Sequence, residues 1–316
     1  MTTFDFNDGK GPVPAHQHSN GGGWVADTAK VAKTAYVGPD AQVFGNAKVF
    51  GNAKVYGDAQ VRGNAQVYGD AQVYSNAQVF GNAKVSGNTW VSGNAVVSGN
   101  ARVYGDAVVY DDAWVFGDAV VSGHARVFGN AKVSGNTWVS GNAVVYGDAV
   151  VYGDARVSGD AVVSGNARVY GDAVVYGDAR VSGDAWVSGD AWVSGHAEVY
   201  DDAWVFGDAV VSGHARVFGN AKVSGNTWVS SNAWVSGNAR VKDNKYPQMK
   251  RSDGYDFIAV PCSDGETRVI AGCRYFTFKE AKKHWKETRG GTPLGDETML
   301  ILKCLKEYVK MMEKTS

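Results

Sequence analysis

Residues 45–61 read GNAKVFGNAKVYGDAQV, and the spacing inside this stretch decides the fold. Glycine, then Asn or Asp, then alanine, a variable residue, valine and a second variable residue recur every six positions. Working outward in both directions, valine fills every sixth position from Val25 to Val241, 37 in succession without an insertion or deletion. Two residues before each valine from Val31 onward stands Ala in 33 of 36 cases, and Thr at Thr89, Thr137 and Thr227. In A-x-V-x, Ala and Val are two apart, so they point to one side of an extended strand and the x residues to the other. The Gly-[Asn/Asp] pair supplies a turn, since both residue types tolerate the left-handed region at low cost. A short strand and a two-residue turn make one side of a polygon. Three sides give a coil of 18 residues, and successive coils stack in parallel ~4.8 Å apart.

A longer period supports this coil. The segment YDDAWVFGDAVVSGHARVFGNAKVSGNTWVS stands at 110–140 and again at 200–230, an offset of 90 residues or five coils. A shorter copy, FGNAKVSGNTWVSGNAVV, stands at 80–97 and 128–145, an offset of 48 that moves it to another face. The hexad is therefore the unit that was shuffled.

Composition agrees. All Leu and Ile of the 316-residue chain lie beyond residue 257, and glycine numbers 41. A narrow prism filled by Val and Ala has no room for Leu or Ile, so an ordinary core is excluded from the repeat region. Disorder is a poor reading, because valine, tyrosine and tryptophan are abundant and regularly placed. No apolar run reaches the ~18 residues of a membrane span. The start, MTTFDFNDGKGPVPAHQH, lacks a basic and an apolar signal region, so no Sec-type signal peptide is expected, and a cytoplasmic or virion-associated location is. Net charge is −1, with 16 Lys/Arg and 19 Asp/Glu in residues 25–242 and 14 and 11 in residues 243–316. Neither segment is a basic nucleic-acid or membrane-binding domain. Cys262, Cys273 and Cys304 are few and odd in number, which fits free thiols in a reducing compartment.

The hexads resemble the hexapeptide-repeat left-handed parallel β-helix, over Trp24 to Lys242. Handedness is implied by that resemblance. The expected fold class is an all-β solenoid, triangular and about twelve coils long, with a small C-terminal α+β (ββαα) domain. The expected division is an N-terminal arm or cap at 1–23, the β-helix at 24–242, a linker at 243–254 and the ββαα domain at 255–316. NGGGWVADTAKV at 20–31, the VYGDA and VSGNA hexads, and the tail element Gly272–Ala281 together resemble the YdcK-like group of phage- and bacterium-encoded β-solenoid proteins. The resemblance implies a phage or prophage setting and carries no assigned activity.

Outward positions hold the candidate sites. Nine of the ten tryptophans occupy the slot before valine. The spacing stacks Trp186 over Trp204 and aligns Tyr110, Phe128 and Tyr146. With Trp192 and Trp228 these are the candidate binding surface. Two readings stay open, a ladder that only stabilises the coil and a sticky surface for a partner. His124, His196 and His214 share one corner. They read as turn residues tolerated at positive φ, or as the base if the chain is an acyltransferase. Asp154, Asp172, Asp190 and Asp208 stack on another corner, as solvated turn residues or as weak candidates for a divalent cation. His16 and His18 lie in a loop-like N-terminal arm that should cover the open end of the solenoid.

Beyond Lys242 the period stops. DNKYPQMKRSDG reads as linker, and DFIAVPC and TRVIAGCRYF flank SDGE as a hairpin. Thr277 and Glu280 form a capping box that opens a helix to about residue 288. A second helix is expected over about 297–313, with apolar residues at 301, 302, 305, 308, 309 and 312. Cys262, Cys273, His284 and Cys304 offer a zinc set only weakly, because no C-x-x-C pair is present, so buried thiols are expected.

Three functions are weighed. The first is a non-enzymatic scaffold or binding protein for an unidentified protein or glycan partner, with homo-oligomer formation left open and no cofactor. It rests on 37 hexads with no inserted loop, because the transferases of the hexapeptide-repeat class that the chain resembles interrupt a coil with one. The second is a CoA-dependent acyltransferase with a corner histidine as base. The third is a glycan-binding surface of stacked Trp and Tyr. Ice binding is disfavoured, because the three Thr in the repeat slots are expected to point inward.

Overall fold

The protein is described by a computed structural model over residues 2–230, 232–242, 247–261, 266–272 and 274–315. Three parallel sheets, two of them with twelve strands, form a β-solenoid of about twelve coils, and a four-stranded antiparallel sheet with two helices follows. The chain divides into two compact units, Met1–Gly171 and Asp172–Ser316.

In the first unit each hexad contributes a short strand paired in register with the hexad 18 residues on, as in Gln60↔Gln78 and Val61↔Val79. Backbone N–H groups donate from coil to coil: Gln42 to the Ala59 carbonyl at 3.0 Å, Phe44 to Val61 at 3.0 Å and Asn46 to Gly63 at 2.7 Å. The ladder thus satisfies the turns as well as the strands. The interior receives only the Ala or Thr and the Val of each hexad; Val61, Ala65, Val67, Thr89 and Val91 are all 0% exposed.

The turn corrects one expectation. From Gly45 onward the left-handed residue is the first of the pair, and among the described residues no Asn of a repeat turn has positive φ. Gly87 has φ +79°, and a Cβ there would lie 2.6 Å from the Gly105 carbonyl oxygen. Conformation and close approach both demand glycine. Ser75, Asp111 and Asp201 occupy the same slot at φ 59°, 57° and 57°. Asp111 and Asp201 each accept from the turn N–H one coil on, Gly129 at 3.3 Å and Gly219 at 3.2 Å.

The second turn residue has a different task. Asn64 Nδ2 donates to Asn82 Oδ1 at 3.1 Å, Asn82 to Asn100 at 3.1 Å, and Asn100 to Asp118 at 2.9 Å. Asn both donates and accepts, whereas an ionised Asp only accepts. An Asn run therefore continues the ladder and an Asp ends it.

The N-terminal arm is not loop-like. Val13–Gln17 pairs antiparallel with Trp24–Ala26, and Thr3–Phe4 pairs with Val13 and Pro14. Phe4 stacks on Trp24 at 4.4 Å and Phe6 on Phe44 at 4.8 Å. Phe6, Ala15, Ala26 and Phe44 form a small buried cluster. The reason is the unpaired edge of the first coil, whose backbone groups and apolar end these residues cover. His16 and His18 are drawn apart, His16 to Asp27 at 2.8 Å and buried His18 to the Ala35 carbonyl at 3.1 Å.

In the second unit the hexads continue to Val241. The antiparallel sheet then runs Gln248–Lys250, Asp256–Pro261, Thr267–Ala271 and Arg274–Thr277, each strand beside the next. The hairpin is present, and its turn at 262–265 lies outside the described residues. Two short strands flank it. Met249 pairs with Phe257, so part of the expected linker is a strand, while 243–246 lie outside the described residues. Helix α1 spans Phe278–Arg289 and carries the expected capping box, Glu280 N–H to Thr277 Oγ1 at 3.2 Å and Thr277 N–H to Glu280 Oε2 at 2.8 Å. Helix α2 spans Pro293–Thr315 and starts earlier than expected. Thr292 Oγ1 accepts from Gly295 N–H at 3.1 Å, and a proline suits the first helical position, where its missing N–H costs nothing.

The core of this domain is Phe257, Val269, Phe278, Trp285, Ile301, Leu302 and Leu305 with smaller residues. Tyr308 is 46% exposed rather than part of the apolar face, and Cys304 is an exposed free thiol, because the buried stripe runs through 301, 302, 305 and 309. Cys262 and Cys273 lie outside the described residues. The sheet packs on the last coil: the strand Arg240–Lys242 lies against Asp256–Pro261, and Trp234–Val235 against the next two strands. Among the described residues no helix is long and apolar enough to cross a membrane.

Candidate functional site

Alternation across each strand sends the residue before valine outward, and the parallel register brings identical slots one above another. Trp186 pairs with Trp204, and their rings stack at 4.8 Å, 3° from parallel. The Lys222 ammonium lies 4.1 Å from the Trp204 ring centre, a cation–π contact on the outer face of the stack. On another sheet of the same unit the register runs Val174, Trp192, Val210, Trp228. Trp192 is 48% and Trp228 65% exposed. The Val between them places the two indoles two strand spacings apart, about 10 Å. Tyr176 meets Trp192 edge-on at 6.1 Å.

In the first unit Tyr110, Phe128 and Tyr146 form the expected column, with centroids at 4.7 and 5.1 Å and planes 9° and 5° apart. Burial within the stack, with Asp111 alongside, raises the Tyr110 hydroxyl above its usual range, so the phenol stays neutral. The aromatic ladders are therefore real, and they are dispersed over several faces.

The corner histidines sit in the turns without taking the left-handed conformation. His124, His196 and His214 have ordinary negative φ; the left-handed residue is the glycine before each. His124 lies 3.7 Å from Asp106, and His196 lies 3.5 Å from Asp178 and stacks on His214 at 4.7 Å. Each His thus takes a place in the ladder that Asn and Asp occupy elsewhere. Asp154 accepts from Asn136 at 3.0 Å. In the second unit Asp172, Asp190 and Asp208 recur every 18 residues. Among the described residues no three His, Cys, Asp or Glu are grouped to hold a metal.

The sequence reading missed the side-chain amide ladder. Its signal was present: at Asn76/Asn94 and Asn130/Asp148, where Asn stands at one turn and Asn or Asp 18 residues on, bonds of 3.1 and 2.9 Å form.

The chain is similar to an Arabidopsis UDP-N-acetylglucosamine acyltransferase, at 12% identity over 67% of this chain and 71% of that one, with a TM-score of 0.28. It is similar to a chain from Desulfovibrio desulfuricans described as an acetyltransferase, at 8% identity over 66% and 67%, TM-score 0.18. A Bacillus cereus chain so described is similar at 11% identity over 76% and 93%, TM-score 0.14. A search of curated protein sequences gives no match. The family profile described as the YdcK β-solenoid repeat matches seven stretches, at 77–93, 90–105, 95–111, 138–153, 149–165, 163–177 and 179–195. Within those seven stretches the hexads match the YdcK β-solenoid repeat.

Proposed function

We propose that this protein is a non-enzymatic β-solenoid scaffold whose outer ladders bind a partner. The observation that carries the reading is the set of tryptophans held rigidly and outward by the coil, with Trp192 and Trp228 half or more exposed. Rigid aromatics held outward offer large contact area and lose little entropy on binding. The unbroken hexads support the same reading, since a scaffold needs a regular surface and no cleft. A phage or prophage setting rests on the resemblance of the hexads and tail element, and its test is the recovery of the protein in purified virions.

The competing acyltransferase reading requires a cofactor. Calorimetry of the folded protein with acetyl-CoA is expected to give no saturable heat, and micromolar saturable binding would sink the scaffold proposal. A second reading, glycan binding, is favoured by one observation: flat indole faces about 10 Å apart along one strand column suit the C–H faces of sugar rings. A glycan array with the native protein and with a Trp192→Ala/Trp228→Ala variant tests it. Loss of signal in the variant supports a glycan partner, and equal signal from both removes that reading.

A further inference from the structure

The C-terminal domain carries a cavity of about 440 Å³ lined by Arg251, Tyr255, Arg274, His284, Trp285, Thr288 and Arg289. Its volume falls in the range of small-ligand pockets, ~300–1,000 Å³. We propose that this cavity binds a small organic phosphate monoester, a function distinct from the ladders of the solenoid.

Charge is the first argument. Arg251 is only 2% exposed, and its guanidinium is already matched: Asp253 accepts from Nε at 2.9 Å and from Nη2 at 2.7 Å, and Thr298 Oγ1 accepts from Nη1 at 2.9 Å. It is a fixed, neutralised part of the wall. The neighbouring Glu297 is likewise held, by the Ser252 N–H at 2.7 Å and its hydroxyl at 2.6 Å. Arg274 and Arg289 differ. Both are exposed, and among the described residues no carboxylate lies within ion-pair distance of either. Arg289 feels the Asp253 carboxylate only beyond contact distance, and Arg251 already pairs that carboxylate. Two guanidiniums without an ion pair of their own on one cavity match the charge of a phosphate monoester, about −1.5 to −2 at neutral pH, and guanidinium is the side chain best shaped for phosphate oxygens.

Geometry is the second argument. Arg251, Arg274 and Arg289 come from a turn, a strand and the end of α1, so the cavity exists only when the domain is folded. The carbonyls at that helix end would repel an anion, and three of them accept hydrogen bonds that turn them to other partners. The His284 carbonyl accepts from Thr288 Oγ1 at 2.8 Å, Lys286 from Gly290 N–H at 3.1 Å, and Arg289 from Thr292 Oγ1 at 2.7 Å. The His284 ring lies against Phe276 at 5.0 Å and Trp285 at 5.1 Å, which fixes its plane on the cavity wall as a further donor. Tyr255 and Trp285 add aromatic surface beside the cations. That combination suits the organic part of an ester better than inorganic phosphate alone.

Calorimetry of the full chain with phenyl phosphate tests the proposal, with phenyl sulfate as the singly charged comparator. Saturable one-to-one binding of phenyl phosphate is expected, weakened about tenfold or more by Arg274→Ala/Arg289→Ala, a loss of at least one ion-pair's worth of affinity. Both positions are exposed, and circular dichroism of the variant confirms that it folds. Lys282→Ala/Lys286→Ala, on exposed positions of the same helix outside the cavity, should leave affinity unchanged within about twofold. Absence of saturation would overturn the proposal. So would equal binding of phenyl sulfate, or an equal loss in the lysine variant, which would mean diffuse attraction to a basic helix.

Discussion

Thr89 and Thr137 show how narrow the interior is. Each replaces the usual alanine, each is 0% exposed, and neither Oγ1 has a hydrogen-bond partner. Thr227, in the same slot, donates to the Ser224 carbonyl at 2.6 Å. An unsatisfied buried hydroxyl costs about 1–3 kcal/mol, so Thr89→Val, which keeps the shape, should stabilise the protein by about 1 kcal/mol in denaturant unfolding. Thr227→Val loses a made bond and should not stabilise. A fall in stability for Thr89→Val would mean that its hydroxyl is paired. The inward direction of these threonines was legible from the two-residue spacing to valine. Their hydrogen bonding was not, since it depends on the local rotation of each side chain. The same limit applies to the turn. Gly and Asn/Asp both tolerate positive φ, so composition alone left open which one takes it; in the folded turns it falls to the first residue, even where that residue is Asp111 or Asp201.

At the scale of elements, strand periodicity was readable wherever a hexad stood, and helix α1 was readable from its capping box. Three things were missed for one reason: they depend on a partner far away in sequence. Val13–Gln17 becomes a strand because the edge at Trp24–Ala26 is open. Gln248–Lys250 becomes one because Phe257 and its neighbours offer an edge. The cavity draws its arginines from three elements, with no local motif. The Arg251–Asp253 pair that fixes its wall makes a pH prediction. The hydrogen bond from Arg251 holds the Asp253 carboxyl below its ordinary value of 3.8. A depressed folded value means that the pair's stabilisation is complete above the unfolded value and is lost as pH falls through the folded one. Thermal melts of the intact protein should show the C-terminal transition falling below pH 3.8, and Asp253→Asn should flatten that fall. An identical pH dependence in the variant would assign the acid lability to other carboxylates.

For the whole molecule, the open ends of a parallel ladder are the liability. The N-terminal strands cover the edge of the first sheet. In the second unit, the antiparallel sheet packs against Trp234–Val235 and Arg240–Lys242 of the last coil. Removal of residues 243–316 should therefore expose unpaired backbone and produce aggregates in light scattering. A soluble truncation, monodisperse and of unchanged stoichiometry, would show that the last coil protects itself.

Hexad periodicity alone dictates the coil. A valine every sixth residue with a small residue two before it can be buried only by strands turning at fixed intervals, and the absence of Leu and Ile up to residue 257 matches a core of Val and Ala alone. Tertiary structure alone decided what the coil and its end carry: which turn residue is left-handed, which amides bond along the ladder, how the first edge is covered, and which arginines share a cavity. The first set follows from local periodicity. The second depends on distances between residues a coil or more apart, which only the folded chain fixes.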